Sequence, residues 1–256
     1  MQMGLKDKVI VVTGAASGIG LAVAQALAEE GVGALVLTDR DGPGLERAAM
    51  GLSGDVAFVV ADLVDPTATG VIGETAKVRF GRIDGLVNAA GLTTRASFQT
   101  GSPEVWDQLF AINARAAFFL MQAAIADMTL RKAAGSIVNI LSMNALCGIP
   151  ELAIYSGTKG ALLTLTKNAA RAHMADRIRV NGINLGWVAT AAEDHMQANI
   201  LGRGPGWLAE DCAGQPLGRL ITPEEAARLV VFLLGDASIP MSGSIVDFEQ
   251  KVAGAV

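Results

Sequence analysis

The alternation of short apolar runs with longer helical stretches constrains the fold of this chain more than any other feature. The apolar runs are residues 9–12, 34–37, 56–60, 83–87, 136–141, 178–183 and 244–246. Each is too short for a helix, and most are apolar on both alternating faces, which is typical of parallel strands covered on both sides. The stretches between them predict helices over residues 18–30, 66–80, 103–132, 155–175 and 223–234. This order predicts a single doubly wound α/β domain over residues 1–256, with a seven-stranded parallel sheet and helices on both faces.

Composition excludes several classes of protein. Hydrophobic residues make up 51% of the chain and charged residues 18%, which rules out a disordered protein. The net charge of −5 argues against a nucleic-acid-binding protein, which usually carries a basic surface. A charge-free run over residues 9–28 has the length of a membrane helix. Because Gly14, Gly18 and Gly20 interrupt it, a strand, a turn and a helix explain it better, and we expect no membrane span.

Cysteine and histidine are too sparse for a metal site. Cys147 and Cys212 are far apart in the sequence, as are His173 and His195, and neither pair has a ligand spacing. The first residues show no secretory pattern. We therefore expect a cytoplasmic protein with two reduced thiols and no metal, and a disulfide is the less favoured alternative.

The turn between the first strand and the first helix is suited to a pyrophosphate. It reads Thr13-Gly14-Ala15-Ala16-Ser17-Gly18-Ile19-Gly20, a G-x-x-x-G-x-G spacing. Glycines let the backbone turn sharply and approach phosphates, and the helix N-terminus offers free N–H groups. A glycine turn on its own is weak evidence and is sometimes only structural. Its place at the start of a strand–turn–helix unit favours a dinucleotide site.

Asp39 follows the second strand, nineteen residues after Gly20. A carboxylate there can accept both ribose hydroxyls of adenosine and repels a 2′-phosphate, which favours NAD over NADP. The neighbouring Arg40 could bind such a phosphate, so NADP stays open as an alternative. Asp39 could also be an ordinary turn residue.

Tyr155 and Lys159 are four residues apart at the start of a predicted helix, so their side chains share a face. A free tyrosine has a pKa near 10, and a neighbouring cation is expected to lower the pKa of Tyr155. Such a tyrosine can exchange a proton with an alcohol or a carbonyl while hydride is transferred. Taken alone, a Tyr-x-x-x-Lys pair is commonly a chance surface feature.

The glycine turn, Asp39, the Asn88-Ala89-Ala90-Gly91 stretch, Asn113, Ser142 and the Tyr155–Lys159 pair occur in this order over residues 8–247. The whole resembles the short-chain dehydrogenase/reductase (SDR) family, which implies a Rossmann fold and a nicotinamide cofactor. The resemblance implies that Tyr155 is the acid/base, that Lys159 binds the nicotinamide ribose and tunes Tyr155, and that Ser142 holds the substrate oxygen. Asn113 would position a water in a proton relay, or would be only a polar residue facing a strand. The implied cofactor-binding residues are Gly14, Ser17, Gly18, Ile19, Gly20, Asp39, Asp62, Leu63, Asn88, Ala89, Gly91, Tyr155, Lys159, Gly186, Val188 and Thr190.

The sequence departs from the family pattern at two informative places. Leu185 stands where the family usually has proline, which frees φ, restores an N–H and is expected to loosen the loop after the sixth strand. The C-terminal stretch Val246-Asp247-Phe248-Glu249-Gln250 replaces a glycine pair with bulkier residues. We expect this bulk to reshape a subunit contact or the pocket floor.

The predicted substrate pocket is polar. Its main candidates are Thr94, Arg95, Asn144, Trp187 and His195, with Thr93, Cys147, Glu151 and Glu193 beside them. Such groups suit a sugar or a polyol, and Arg95 suits a sugar acid. Trp187 could be a sugar platform or a core residue. Residues 193–218 are rich in glycine and proline and long for a connection, which predicts a substrate loop or lid.

These features predict an NAD(H)-dependent oxidoreductase that interconverts a secondary alcohol and a ketone. Two alternatives stay open: an NADPH-dependent 3-oxoacyl thioester reductase, and a non-catalytic nucleotide-binding scaffold. The predicted helices over residues 111–126 and 155–175 are apolar around much of their surface, so they should be buried. With the resemblance, this predicts a homodimer or homotetramer.

Overall fold

The computed structural model describes residues 3–146 and 148–252. Seven parallel strands form one sheet in the order β3-β2-β1-β4-β5-β6-β7. Their bounds are β1 Val9–Thr13, β2 Ala34–Asp39, β3 Asp55–Val60, β4 Gly85–Asn88, β5 Gly135–Ile140, β6 Ile178–Leu185 and β7 Ile245–Phe248. The predicted doubly wound α/β fold is therefore confirmed. The strand order reverses beside β1, which places the carboxyl ends of β1 and β4 at the switch point where such sheets bind ligands.

Helices cover both faces of the sheet. They are α1 Gly18–Glu29, α2 Gly42–Met50, α3 Ala68–Phe80, α4 Pro103–Phe110, α5 Ala117–Leu130, α6 Ala153–His173, α7 Ala191–His195, α8 Trp207–Ala213 and α9 Pro223–Leu234. Alternate residues of β1 enter different core layers. Ile10 and Val12 pack in the layer that contains α1 and α9, and Val9 and Val11 pack in the layer of α3 and α5. This explains why the strand sequences are apolar on both faces.

The structure corrects the predicted helix over residues 103–132. α4 and α5 are separated by a π-helical turn, Ala111–Ala116, in which Asn113 is buried. Such turns leave the regular hydrogen-bond ladder and occur frequently at functional sites. Pro103–Leu130 is also the one helical stretch, within the described chain, that is long and apolar enough to cross a membrane by length and composition. More than half of its most apolar part is buried inside the protein, as in a core helix.

Two other stretches differ from the predictions. α2 was not predicted, although Asp41 caps it and accepts a hydrogen bond from the Gly44 N–H at 3.1 Å. The segment 193–218 is not an irregular loop: it holds part of α7, a π-helical turn Met196–Ile200, and α8. β6 continues to Leu185, which pairs in register with Phe248. The backbone that proline would have restricted therefore extends the sheet, and the expected loosening of the loop after it stays a prediction.

Candidate active site

The glycine turn after β1 leads into a helix whose N-terminus has no side-chain cap. Ser17 precedes α1 but accepts no capping hydrogen bond, and the first turn contains no acidic residue. Gly14 and Gly18 have φ values of +69° and +55°, a backbone conformation that favours glycine. A Cβ on Gly14 would lie 2.9 Å from the Cα of Ala90, and one on Gly20 would collide with the Gly14 carbonyl. The turn is thus packed tightly, and its helix N-terminus is left for an anionic ligand.

The Thr13 hydroxyl ties this turn to the strand beside it. Its Oγ1 accepts hydrogen bonds from the N–H groups of Ala89 and Ala90, both at 3.0 Å. The carboxyl ends of β1 and β4 are thereby held together. Gly91 follows at the cavity wall, and a Cβ there would lie 3.6 Å from the Lys159 Nζ.

Asp39 lies at the end of β2 and faces the glycine turn. Its Oδ2 accepts a hydrogen bond from the Ala16 N–H and its Oδ1 one from the Asp41 N–H, both at 3.1 Å. These bonds fix the carboxylate on the cavity wall, and each oxygen keeps a further lone pair. Asp62 and Leu63, which follow the neighbouring strand β3, line the same cavity.

A cavity of about 890 Å³ joins these residues to those on α6 and after β6. Its volume is in the range of small-molecule and cofactor sites. The predicted cofactor residues on its wall are Gly14, Ser17, Gly18, Ile19, Gly20, Asp39, Asp62, Leu63, Ala89, Gly91, Tyr155, Lys159, Gly186, Val188 and Thr190. The uncapped helix, the glycine cradle and the carboxylate at the far end fit a nicotinamide dinucleotide.

Asn88 is the exception in the cofactor set. Its side chain is buried between strands and is not part of the cavity wall. The Nδ2 donates a hydrogen bond to Oδ1 of Asn139 at 2.8 Å, and Asn139 in turn donates to Thr166 at 2.9 Å. Asn88 therefore joins β4 to β5 and, through Asn139, to α6. The side chain of Asn88 therefore does not face the cavity, unlike the other residues of the implied cofactor set.

Tyr155 and Lys159 lie in the first two turns of α6 and are buried at the cavity wall. The Lys159 Nζ is 5.8 Å from the centre of the Tyr155 ring and donates a hydrogen bond to the Ile140 carbonyl at 2.8 Å. Ser142 follows β5 and lines the same cavity, where its Oγ accepts a hydrogen bond from the Asn144 N–H at 3.2 Å. The three predicted side chains therefore converge at the carboxyl end of β5.

Burial shifts the pKa values of both groups on α6. Burial raises the pKa of Tyr155 to about 12, a hydrogen bond to Ser142 acts in the opposite direction, and the charge of Glu193 adds to the increase. Burial lowers the pKa of Lys159 to about 8. The net shift of the Tyr155 pKa is therefore upward, opposite to the predicted lowering, because burial disfavours the charged phenolate and Lys159 is not among the causes of the shift. Tyr155 is thus a protonated phenol at neutral pH.

Asn113 clamps the segment that follows β4. Its Oδ1 accepts from the Leu92 N–H and its Nδ2 donates to the Leu92 carbonyl, both at 2.9 Å. The Nδ2 also lies 3.0 Å from the hydroxyl oxygen of Thr158, the residue before Lys159. The Asn113 side chain does not line the cavity, so its visible role is to position the Leu92 segment against α6.

The remaining polar residues of the cavity wall come from the segments that follow β4, β5 and β6. Arg95, Asn144 and Trp187 line the cavity, as do Thr93 and Glu193. Thr94, Glu151 and His195 do not, and Cys147 lies outside the described residues. His195 is exposed, with its Nδ1 3.0 Å from Nδ2 of Asn199, because it falls on the outer side of α7.

Sequence reasoning missed three polar residues of this wall: Gln197, Arg203 and Glu249. The first two lie in the segment 193–218, which was identified only as a whole, and the helical turns that orient them were not predicted. Glu249 belongs to the C-terminal departure from the family pattern. Its side chain lines the cavity and a Cβ on Gly186 would collide with its carboxylate, so this departure lies at the pocket, one of the two places where its bulk was expected to act.

No group of three or more potential metal ligands occurs among residues 3–146 and 148–252. The polar groups of the cavity are instead those of a proton-transfer site next to a dinucleotide cradle. This combination defines a class: α/β enzymes that bind a nicotinamide dinucleotide. Comparison with known proteins identifies the family within that class.

The family described as enoyl-(acyl carrier protein) reductase matches residues 14–249. The chain is 35% identical over 249 residues to 2-(S)-hydroxypropyl-CoM dehydrogenase 3 of Xanthobacter autotrophicus, covering 95% of this chain and 96% of that one. It is 31% identical over 250 residues to the 3-oxoacyl-(acyl-carrier-protein) reductase FabG of Thermotoga maritima, covering 96% and 98%. The protein belongs to the short-chain dehydrogenase/reductase family.

Solved structures agree with this assignment. L-sorbose reductase from Gluconobacter frateurii, complexed with NADPH and L-sorbose, superposes with a TM-score of 0.92 at 30% identity and covers all of both chains. NAD⁺-bound xylitol dehydrogenase has a TM-score of 0.88 at 30% identity, covering 96% of this chain and 99% of that one. Both nicotinamide cofactors therefore occur among similar proteins.

Proposed function

We propose that this protein is an NAD(H)-dependent oxidoreductase that interconverts a secondary alcohol and a ketone on a polar substrate, namely a sugar, a polyol or a sugar acid. One observation carries the proposal: Ser142, Tyr155 and Lys159 share one cavity with an uncapped glycine turn and Asp39. The cavity thus combines a proton-transfer group with a cradle for a hydride carrier.

Each residue of the set has a distinct task. The nicotinamide, when bound, supplies or accepts the hydride. Tyr155 gives its phenolic proton to the ketone oxygen during reduction and takes it back during oxidation. Ser142 donates a hydrogen bond to the same oxygen, stabilising the charge that develops there. Lys159 binds ribose hydroxyls and keeps a positive charge next to Tyr155.

Asp39 supports NAD in preference to NADP. Both of its oxygens are already oriented by backbone N–H groups, so the carboxylate is rigid as well as charged. A 2′-phosphate would have to approach this fixed negative charge, whereas ribose hydroxyls can donate to it. Arg40 also lines this end of the cavity and is the group through which NADP would be accommodated.

The polar wall supports a hydroxylated substrate. A site built from Arg95, Asn144, Glu193 and Gln197 leaves polar groups unpaired when a purely hydrophobic ketone binds, which lowers affinity. The segment 193–218 contributes Glu193, Gln197 and Arg203 to this wall, and we propose that it acts as the substrate lid. We expect this segment to determine which substrate the enzyme accepts, whereas the Rossmann fold is shared across the family.

A substrate panel tests the proposal. Purified protein is assayed with NAD⁺ and with NADP⁺ against polyols, sugar acids, steroid alcohols and 3-hydroxyacyl thioesters. We expect turnover of at least one hydroxylated substrate, with NAD⁺ preferred. Turnover confined to the hydrophobic alcohols would contradict the polar pocket, and absence of any nicotinamide-dependent turnover would contradict the proposal as a whole.

A second candidate is NADPH-dependent reduction of a 3-oxoacyl thioester. The description of the matching family and the similarity to FabG favour it. Asp39 argues against it, and a strong preference for NADPH in a binding titration would revive it. A non-catalytic scaffold is disfavoured because Asn113, Ser142, Tyr155 and Lys159 are all present and three of them share the cavity.

We further propose a cytoplasmic homodimer or homotetramer. Phe118 and Phe119 on α5 are 40% and 42% exposed in the single chain. They lie in the helical region that the sequence predicts to be buried. Association through α5 and α6 would cover this apolar surface.

A further inference from the structure

A half-buried carboxylate lies at the substrate end of the cavity, and the proposed mechanism does not use it. Glu193 is in the first turn of α7, where the Oγ1 of Thr190 caps the helix by accepting a hydrogen bond from the Glu193 N–H at 3.1 Å. Its side chain lines the cavity together with Tyr155 and Trp187. The cap fixes the backbone from which this carboxylate projects.

The hydrogen bonds of Glu193 orient its two oxygens differently. Oε1 accepts from the indole Nε1 of Trp187 at 2.9 Å and from Nε2 of Gln197 at 2.7 Å. Gln197 is itself 4% exposed and accepts from the Arg203 guanidinium at 3.1 Å. Within the described part of the chain, no hydrogen bond reaches Oε2. One oxygen is therefore anchored, and the other keeps its capacity to accept from a ligand.

This carboxylate acts on the site of proton transfer. Its charge raises the pKa of Tyr155, so the two groups are electrostatically coupled across the cavity. A substrate whose reacting oxygen lies at Tyr155 and Ser142 places the substituents of the next carbon toward the remaining wall. Glu193 and Glu249 are both carboxylates of that wall, and Glu193 is the one that is hydrogen-bonded to Trp187 and raises the pKa of Tyr155.

Besides Arg40 next to Asp39, two arginines line the same cavity and could attract an anion. Arg203 is already compensated, because it forms ion pairs with Asp211 and Glu210. Arg95 is the cation left to meet a substrate anion. We therefore expect Glu193 to distinguish substrates by the group on the carbon next to the reacting carbon. A charge on the distal part of the substrate would meet Arg95 instead.

We propose that Glu193 is a specificity-determining residue, whose Oε2 accepts a hydrogen bond from a hydroxyl on the carbon adjacent to the reacting carbon. The site then selects vicinal diols and α-hydroxy ketones, and it rejects substrates with a carboxylate in that position. This inference rests on the proposed function and narrows its substrate class. Charge-assisted hydrogen bonds are stronger than neutral ones, and an unpaired carboxylate facing an anion is unfavourable.

Glu193→Gln separates this role from simple support of Trp187. The amide oxygen of glutamine can still accept from Trp187 and Gln197, whereas the acceptor facing the cavity becomes an NH₂ donor. The matched control is Asp194→Asn on the same helix turn. Asp194 accepts from the Trp207 indole at 2.8 Å, and it is not on the cavity wall.

The experiment compares kcat/KM with NAD⁺ for 2,3-butanediol, 2-butanol and 2-hydroxybutanoate. In 2,3-butanediol the carbon adjacent to the reacting carbon carries a hydroxyl, in 2-butanol it carries no oxygen, and in 2-hydroxybutanoate it is the carbon of a carboxylate. We expect wild-type enzyme to prefer the diol over 2-butanol by at least tenfold, about the value of one charge-assisted hydrogen bond. Glu193→Gln should reduce that preference at least tenfold and raise the relative kcat/KM for 2-hydroxybutanoate, and Asp194→Asn should keep the wild-type ratios.

Two further measurements test the same role of Glu193, one by binding alone and one with wild-type enzyme alone. Calorimetric titration of 2,3-butanediol into NADH-loaded enzyme should show weaker binding for Glu193→Gln than for Asp194→Asn. If Glu193→Gln does not fold, wild-type enzyme is assayed with 3-methoxy-2-butanol, whose ether oxygen cannot donate. Its kcat/KM should fall at least tenfold below that of the diol.

Equal loss on 2,3-butanediol and 2-butanol in Glu193→Gln would show that Glu193 only supports Trp187 and would overturn the inference. A wild-type enzyme that is active but does not prefer the diol would overturn it too. Failure of wild-type enzyme on every alcohol in the wider panel contradicts the proposed function itself, so the two failures can be distinguished.

Discussion

Replacing the buried ammonium of Lys159 with an apolar side chain should stabilise the fold at neutral pH. Lys159 is 4% exposed, and burial lowers its pKa from 10.5 to about 8. Since a tenfold change in proton affinity is worth about 1.4 kcal/mol, keeping the charged form buried costs about 3 kcal/mol. Lys159→Met removes this cost, and it forfeits the hydrogen bond to the Ile140 carbonyl, which is worth about 1 kcal/mol net.

The pH dependence isolates the electrostatic part of this effect. The pKa of Lys159 is lower in the folded protein than in the unfolded chain, so between about pH 8 and 10.5 the unfolded chain binds more protons. The stability of wild-type protein relative to Lys159→Met should therefore rise by about 3 kcal/mol across that window. Below pH 8 the difference should be constant.

Urea unfolding at one fixed protein concentration measures this difference at pH 7, 8.5 and 10. Lys167→Met is the matched control, because Lys167 is exposed on the same helix and its ammonium stays in water in both states. A Lys159→Met difference that does not vary with pH would show that burying the Lys159 charge carries no such cost. It would mean that the folded protein hydrates Lys159, or pairs it, well enough to avoid the cost.

Three other predictions follow from the site and the surface. Tyr155 is the only tyrosine of the chain, so ultraviolet titration of the cofactor-free protein should show a pKa well above 10, and ionisation at or below pH 10 would contradict its burial. Asp39→Asn removes a negative charge that faces the 2′-phosphate, so the preference for NAD⁺ over NADP⁺ should fall by about tenfold or more. The preference is measured as the ratio of the two dissociation constants. An unchanged ratio would mean that Asp39 does not determine the choice of cofactor. Multi-angle light scattering should show a dimer or tetramer, and a stable monomer would contradict the proposed association through α5 and α6.

Much of the fold followed from the sequence because parallel strands buried on both faces leave a strong pattern. β1 and α9 were predicted to within a residue, since Thr222 caps α9 and Pro223 begins it. α2 was missed because the sequence Gly42-Pro43-Gly44 indicates a turn. In the folded protein the Asp41 cap and packing against the sheet stabilise a helix there instead. The π-helical turn at Asn113 has no periodic signature and could not be distinguished from regular helix.

The cofactor end of the site was easier to predict than the substrate end. The glycine spacing and Asp39 depend on the backbone geometry of one short strand–turn–helix unit. The sequence could therefore predict the cavity wall at the cofactor end. Gln197, Arg203 and Glu249 depend on how short helical turns and the chain after β7 fold back over the cavity, which sequence spacing does not encode. The rise in the pKa of Tyr155 was also missed, because burial is a property of the packed protein.

We have proposed that Tyr155 transfers the proton in a nicotinamide-dependent reaction. Tyr155→Phe tests this role when the variant is assayed on the best substrate of the panel and titrated with NADH by fluorescence. We expect kcat to fall by about 10²- to 10⁴-fold, the usual contribution of a general acid or base, while NADH binding is largely retained. Activity close to wild type in this variant would mean that Tyr155 is not the group that transfers the proton.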